Sequence, residues 1–212
     1  MNLPIIDVSD PGRPDTLRAI DAACRDWGFF QAVGHGIDRR VIASLQQQMR
    51  EFFAQPLAAK HAIVRTADNP WGFYDRELTR HTPDWKQIYD VGPANGAAIV
   101  PQWPASLPGF RPAIETFHDA CDALALRILG CIALNLGVPA RVLDLDFRDV
   151  NTSFLRLNYY PPCPTSGRLG ISPHTDSGAV TVLLQDGQAG LEVLHDDDWR
   201  LVEPCRDALV VN

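Results

Sequence analysis

Residues that could bind a metal ion and a carboxylate ligand occur close together between Thr152 and Asp186. His174 and Asp176 are two positions apart, so in an extended chain an imidazole and a carboxylate would project from the same face. Such a pair supplies two of the three ligands in a 2-His-1-carboxylate iron site. The same spacing also fits a histidine and an aspartate that are hydrogen-bonded to each other at a strand end. Spacing alone does not decide between these two interpretations.

The residues before this pair alternate in a way that predicts a strand over 152–160. Arg156, Asn158 and Tyr160 fall on one face of that strand, and a guanidinium, an amide and a phenol are an unusual set for a core. A ligand that carries carboxylates could use all three groups. After a Pro-rich loop, residues 169–176 predict a second strand that carries the His-Asp pair, and a third strand follows.

The other histidines are weaker candidates for metal ligands. His195 precedes two aspartates, but this acidic run predicts a solvated hairpin turn. His35 lies in a tight Gly-His-Gly turn, where a structural role is expected. For His61 and His81 no partner pattern is visible and we expect solvent-facing roles, whereas His118, near the apolar stripe of a predicted helix, is expected to be packed or at the surface.

The composition suits one globular domain, since 46% of the 212 residues are hydrophobic and 21% are charged. The net charge of −7 disfavours partners such as nucleic acids and anionic membranes. Neither a signal peptide nor an apolar run of about 18 residues is visible. The five cysteines contain no C-x-x-C motif, which favours thiols in a reducing cytoplasm over a zinc knuckle or a disulfide framework.

Hydrophobic periodicity predicts helices over 14–27, from Asp38 to about Phe53, and over 112–136, with Gly137 just past the last of them. Short strands follow from residue 150 onward. Helices followed by a run of strands predict an α+β fold whose sheet curls into a barrel or a double-sheet roll.

Three blocks of this sequence carry recognisable motifs. They comprise L-P-I-I-D (3–7) with W-G-F-F (27–30) and V-G-H-G-I (33–37), then D-W-K (84–86), then R-L-N-Y-Y-P-P-C-P (156–164) with H-T-D (174–176), L-L-Q-D (183–186), Gly190-Leu191 and Trp199. These blocks resemble the iron(II)/2-oxoglutarate-dependent oxygenases of the isopenicillin N synthase-like family, occur in the family's order and extend over essentially the whole chain.

This resemblance implies a double-stranded β-helix, or jelly roll, with N-terminal helices and a long backing helix. Residues 1–110 would form the N-terminal region, and residues 111–212 the backing helix and a partial metal-binding core, within one structural domain. His174 and Asp176 would bind iron together with a second histidine from a later strand. Tyr160 and Asn158 would help to hold the carboxylates of 2-oxoglutarate, whereas Arg156 would have a structural or substrate-side role.

The implied enzyme is a dioxygenase that uses Fe(II), 2-oxoglutarate and O2 to hydroxylate, desaturate or cyclise a small organic substrate, with release of succinate and CO2. Two alternatives stay open. One is a non-catalytic binding module of the same fold, and the other is an ethylene-forming or oxidase-type relative. Neither the substrate nor the oligomeric state is indicated by the sequence.

The sequence departs from the family pattern after residue 211. The family continues into a distal histidine and an Arg-x-Ser pair, and neither follows the apolar strand predicted at 208–211. We therefore expect a C-terminally incomplete copy that lacks the last strands of the roll, with an unpaired apolar edge at 209–211. We also expect the 212-residue chain to have little or no activity.

Overall fold

The computed structural model describes residues 2–149, 152–164 and 167–212, which contain both helices and short strands. The helices are α1 (Pro14–Asp26), α2 (Arg39–Phe53), α3 (Leu57–His61) and α4 (Phe110–Asn135), and a π-helical turn follows at Leu145–Asp149. The strands are β1 (Ile5–Asp7), β2 (Phe30–Val33), β3 (Gly72–Tyr74), β4 (Leu78–Thr79), β5 (Thr82–Pro83), β6 (Gln87–Val91), β7 (Leu155–Tyr159), β8 (Val182–Leu183), β9 (Glu192–His195), β10 (Asp198–Leu201) and β11 (Leu209–Val211). This mixture of elements confirms the predicted α+β class.

Residue contacts divide the chain into two compact units, and each unit is assembled from separate stretches of sequence. The first unit contains residues 1–39, 119–149 and 177–212. The second unit contains residues 40–118 and 150–176, which include all the predicted ligand-binding residues. The division of the chain at residue 110 stays a prediction.

A four-stranded sheet in the order β1-β2-β11-β8 forms the centre of the first unit. Strand β11 pairs antiparallel with β2 on one side and with β8 on the other. Its three residues are therefore buried, and Val210 packs in an apolar cluster with Leu3, Trp27, Val193 and Val202. The prediction of an unpaired edge at 209–211 is wrong, because a strand from the start of the chain supplies the missing partner.

The end of α4 shows why the long predicted helix ends where it does. Gly137 has a φ of +77°, which places it in the left-handed region that favours glycine. The Val138 N–H donates to the Ala133 carbonyl and the Gly137 N–H to the Leu134 carbonyl, both at 3.0 Å. These two bonds form a Schellman motif, which satisfies carbonyls that the helix leaves without partners. None of the described helices is long and apolar enough to cross a membrane.

The second unit is built on the antiparallel sheet β3-β6-β7 and an aromatic core. Phe52 lies at the centre of this core, with its ring centroid 4.8–6.2 Å from those of Phe73, Tyr89 and Phe110. All four rings are fully buried. Within β7, Leu157 is buried and Asn158 is exposed, as the predicted alternation requires, but Tyr159 is exposed as well.

The second predicted strand, over 169–176, does not form. Its backbone is irregular, and the next strand, β8, contains only Val182 and Leu183. Pro173 has no N–H to donate to a sheet. The N–H of Ser172 donates to the Asp84 carboxylate at 3.4 Å instead of to a neighbouring strand. The predicted core strand is therefore a loop whose backbone is bonded to a side chain.

Truncation of Phe52 tests the aromatic core. We expect Phe52→Ala to lower the free energy of unfolding by about 3–5 kcal/mol, because it leaves a cavity among three buried rings. The matched control is Phe154→Ala, whose ring is 53% exposed, with an expected loss below about 1 kcal/mol. Urea denaturation followed by tryptophan fluorescence measures both values, and equal losses would contradict this description of the core.

Candidate metal centre

The imidazole of His174 is oriented by a hydrogen bond to its own loop. Its Nδ1 lies 3.0 Å from the carbonyl oxygen of Ser172. Because a carbonyl can only accept, Nδ1 must carry the proton in this bond, and in the neutral ring Nε2 then has a free lone pair. A histidine with this tautomer and a backbone acceptor on the second nitrogen is the usual form of a metal-ligating histidine.

Asp176 places a carboxylate oxygen beside that lone pair. The distance from His174 Nε2 to Asp176 Oδ1 is 3.6 Å, and the two side chains are 43% and 36% exposed. One ion about 2 Å from each atom could contact both, since two such bonds span up to about 4 Å. An imidazole nitrogen and a carboxylate oxygen suit Fe(II), so the donor set fits the predicted metal. Within the described residues, no group of three or more His, Cys, Asp and Glu side chains is close enough to hold a metal ion.

Tyr160 packs against the same loop, just beyond the end of β7. A Cβ atom added at Gly170 would come within 2.5 Å of the Tyr160 ring, so the glycine allows this close approach. The phenol is 49% exposed. Partial burial raises the pKa of Tyr160 above its ordinary value, and the Asp84 carboxylate raises it further. The hydroxyl is therefore a protonated donor at neutral pH.

Asn158 and Arg156 lie on β7, the strand that precedes Tyr160. Asn158 is exposed, whereas Arg156 is partly buried. Arg156 is directly opposite Asp90 on β6, and its Nε and Nη2 donate to the two carboxylate oxygens at 2.7 and 2.8 Å. The same guanidinium lies 3.1 Å from a Glu77 oxygen. Arg156 is thus engaged by two carboxylates of the protein, which supports the structural role and leaves the possible ligand-binding role to its neighbours.

Arg156 belongs to a charge network of six side chains that the sequence did not indicate as a unit. Arg65 bridges Glu77 and Asp90, and Lys86 bridges Glu77 and Asp84. The side chains of Lys86 and Asp84 are each 1% exposed. Opposite charges at paired strand positions could have indicated the Asp90–Arg156 pair, but only after β6 and β7 had been aligned. The members of the network are Arg65, Glu77, Asp84, Lys86, Asp90 and Arg156.

Two other histidines have structural positions in the first unit. His35 is buried, its Nδ1 accepts the Ile37 N–H at 3.0 Å, and burial lowers its pKa although Asp207 opposes this effect. The expectation that His195 belongs to a solvated turn is wrong for its ring, which is 9% exposed. The ring stacks on Trp27 with centroids 3.8 Å apart. The ring also lies near two carboxylates, with Nδ1 3.5 Å from Asp196 Oδ2 and Nε2 3.7 Å from Asp26 Oδ1.

Comparison with known families identifies the chain. A family model described as the N-terminal region of non-haem dioxygenases in morphine synthesis matches residues 3–106. A second model, the 2OG-Fe(II) oxygenase superfamily, matches residues 151–212 and therefore contains the His174–Asp176 pair. The chain belongs to the iron(II)/2-oxoglutarate-dependent oxygenase family. The ligand roles of His174, Asp176, Asn158 and Tyr160 stay predictions.

Individual members of this family are similar along the whole chain. Flavanone 3-dioxygenase 2 of Oryza sativa subsp. japonica is 34% identical over 99% of this chain and 63% of its own length. A full-length Neurospora crassa protein, crystallised in complex with alpha-KG, superposes with a TM-score of 0.88 at 28% identity, over 99% of this chain and 72% of that chain. JOX2 in complex with 2OG, Fe and JA gives a TM-score of 0.85 at 33% identity, over 100% and 64%.

These superpositions confirm the oxygenase jelly-roll fold. The chain spans less than two thirds of the length of the curated relatives that it matches.

The charge network makes the free energy of unfolding depend on pH, because it changes the pKa of Glu77. Burial alone would raise the pKa of Glu77, but the Lys86 hydrogen bond and the charges of Arg156, Lys86 and Arg65 lower it below its ordinary value. A carboxyl with a lowered pKa stabilises the fold above its unfolded pKa of about 4.3, and this contribution is lost as the pH falls through the folded value.

We therefore expect Glu77→Gln to lower the free energy of unfolding by about 3 kcal/mol at pH 7, because buried cations lose a partner. The difference from the unsubstituted protein should shrink as the pH falls below about 4. Urea denaturation at several pH values measures it. Glu115→Gln is the control, because Glu115 pairs with Arg111 on the exposed side of α4. A difference for Glu77→Gln that stays constant with pH would contradict the ionic role of Glu77.

Proposed function

We propose that this protein is a non-haem iron(II)- and 2-oxoglutarate-dependent oxidoreductase that acts on a small organic substrate. Membership of the oxygenase family supports the reaction class. The observation that carries the proposal within this chain is the His174–Asp176 pair, with its donor atoms 3.6 Å apart and the histidine tautomer set by Ser172. When bound, iron and 2-oxoglutarate supply the oxidising chemistry, in which 2-oxoglutarate loses CO2 to become succinate and O2 is reduced.

His174 and Asp176 would hold the metal from one side. The Nδ1–H group of His174 already donates to the Ser172 carbonyl. The lone pair of Nε2 can therefore bind a metal ion without a change of tautomer or ring orientation. The Asp176 carboxylate contributes negative charge that offsets part of the charge of a divalent ion. Both side chains are partly exposed, so an ion and small ligands can reach them from solvent.

Tyr160 and Asn158 would bind the carboxylates of 2-oxoglutarate. The Tyr160 hydroxyl is a protonated donor, and the Asn158 amide is exposed on the strand that leads to it. Hydrogen bonds from neutral donors to a carboxylate are stronger than bonds between neutral groups. Arg156 is excluded from this role by its two carboxylate partners, Asp90 and Glu77.

The substrate class is inferred from relatives only. One is named for a flavanone, and JOX2 was crystallised with JA. These compounds differ, so the shared inference is a small organic molecule and not a particular one.

For the 212 residues themselves we expect weak iron binding and slow turnover, because the described residues place two predicted ligands together and not three. Succinate formation from 2-oxoglutarate with Fe(II), ascorbate and air measures this expectation. Turnover at ordinary enzyme rates, of about 1 s⁻¹ or more, would contradict it.

Removal of the His174 imidazole tests the metal centre. We expect His174→Ala to abolish the binding of Fe(II), or of Mn(II) as its spectroscopic substitute, because a single carboxylate remains. Electron paramagnetic resonance of free Mn(II) gives the affinity. His61→Ala is the control, since His61 Nε2 forms a second His–carboxylate contact with Asp75, at 2.9 Å, in the same unit. Equal Mn(II) binding by His174→Ala and the unsubstituted chain would refute the assignment.

Removal of a single hydroxyl tests the cosubstrate site. We expect Tyr160→Phe to weaken 2-oxoglutarate binding by about tenfold in the presence of Mn(II), because a hydrogen bond to a charged group is lost. Saturation-transfer NMR measures the affinity. Tyr159→Phe removes the same group from the neighbouring residue, whose ring stacks on Phe53 on the other face of β7, and it should have no effect. A similar loss in both variants would argue against a contact between Tyr160 and the cosubstrate.

A further inference from the structure

Three consecutive residues, Asp84-Trp85-Lys86, converge on the segment that leads from β7 to His174. The indole Nε1–H of Trp85 donates to the Pro161 carbonyl at 2.9 Å. The guanidinium carbon of Arg168 lies 4.6 Å from the centroid of the Trp85 ring, within the range of a cation–π contact. Trp85 therefore contacts this segment both at its beginning and further along.

Asp84 contacts the end of the same segment. Its carboxylate accepts the Ser172 N–H at 3.4 Å and the Thr79 hydroxyl at 2.8 Å, and its side chain is 1% exposed. The carbonyl of Ser172 is the acceptor for His174 Nδ1 at 3.0 Å. A single residue, Ser172, thus connects the buried carboxylate to the histidine ring through its backbone N–H and C=O.

Lys86 supplies the charge that allows Asp84 to be buried. Its ammonium nitrogen lies 3.3 Å from Asp84 Oδ2 and 2.9 Å from Glu77 Oε2, and its side chain is 1% exposed. A buried carboxylate without a cation would be strongly unfavourable. Asp84 and Lys86 therefore act as a pair. Side chains alternate in direction along the extended residues just before β6, so Asp84 and Lys86 both point to the buried side and Trp85 points to the loop.

We propose that Asp84, Trp85 and Lys86 form a positioning motif that holds the chain at Pro161, Arg168 and Ser172 and thereby sets the tautomer and direction of the His174 ring. This inference rests on the proposed function, because it assigns the motif a role in preparing a metal ligand. The loop has no sheet partner of its own over 169–176, so these side-chain contacts replace the strand that the sequence predicts there. A ring that is oriented before the ion arrives loses less conformational freedom on binding.

A matched pair of tryptophan substitutions tests the motif. Trp85→Phe removes the N–H that bonds to Pro161, and Trp71→Phe removes an equivalent N–H that bonds to the Pro93 carbonyl at 3.0 Å in the same unit. We expect Trp85→Phe to weaken Mn(II) binding by about three- to tenfold, whereas Trp71→Phe should leave it unchanged. Thermal unfolding of both variants provides the comparison of stability.

A second readout does not require metal. In the metal-free protein, the ¹⁵N chemical shifts of the His174 ring report which nitrogen is protonated. We expect the Nδ1–H form to dominate in the unsubstituted chain and in Trp71→Phe, and to be mixed with the other tautomer in Trp85→Phe. A purely structural role for Trp85 would lower the unfolding temperature without changing this ratio or the Mn(II) affinity.

Substitutions of Asp84 separate its contact with Ser172 from its contribution to stability. Asp84→Asn keeps an oxygen for the Ser172 N–H, whereas Asp84→Ala removes it, and both leave Lys86 with one carboxylate fewer. We expect both variants to be less stable, but only Asp84→Ala to change the ring tautomer. If Asp84→Ala does not fold, the comparison of Trp85→Phe with Trp71→Phe still tests the positioning motif.

The outcomes distinguish this inference from the proposed function. Unchanged ring shifts and unchanged Mn(II) affinity in Trp85→Phe would overturn the positioning motif and leave the metal centre intact. If the unsubstituted chain binds no Mn(II) at His174, the proposed function fails, and the ring shifts of the metal-free protein still support or overturn the positioning of His174.

Discussion

Compensation of buried charge is the constraint on which the second unit of this protein depends. Three cations and three anions meet beside β6 and β7, and their formal charges cancel. Taking such groups out of water is costly, and the loss of one partner leaves another charge buried without compensation. The network therefore holds the strands in one register, because a shift by one residue would turn Asp90 and Arg156 to opposite faces.

Residues on β7 and just beyond it have different roles. Leu157 is buried opposite Tyr89 of the aromatic core, Arg156 is held by the carboxylates of Asp90 and Glu77, and Tyr160, the residue after the strand, packs against the loop that carries His174. The charge network thus lies directly beside groups that are exposed enough to contact a ligand. Functional groups are commonly placed on loops that a rigid scaffold positions, and here the scaffold is polar as well as hydrophobic.

Local patterns predicted α1, α2 and α4 and the hairpin of β9 and β10, because short-range periodicity determines each of them. The His-x-Asp spacing indicated two side chains that the structure brings together, although they meet on irregular backbone and not on the predicted strand. Long-range pairing could not be predicted in the same way. Arg65, Glu77 and Asp90 are distant in sequence, and the partners of β11 include a strand near the start of the chain.

The position of β11 between β2 and β8 has a consequence for how the polypeptide reaches this structure. The paired residues of β2 and β11 are about 180 positions apart, so loop closure must bring together nearly the whole chain. At ribosomal elongation rates of about 5–20 residues per second, β2 would be complete for roughly 10–40 s before its neighbour exists. During synthesis the strand Phe30–Val33 therefore lacks one of its partners, and its unpaired edge can pair with other chains until β11 is made.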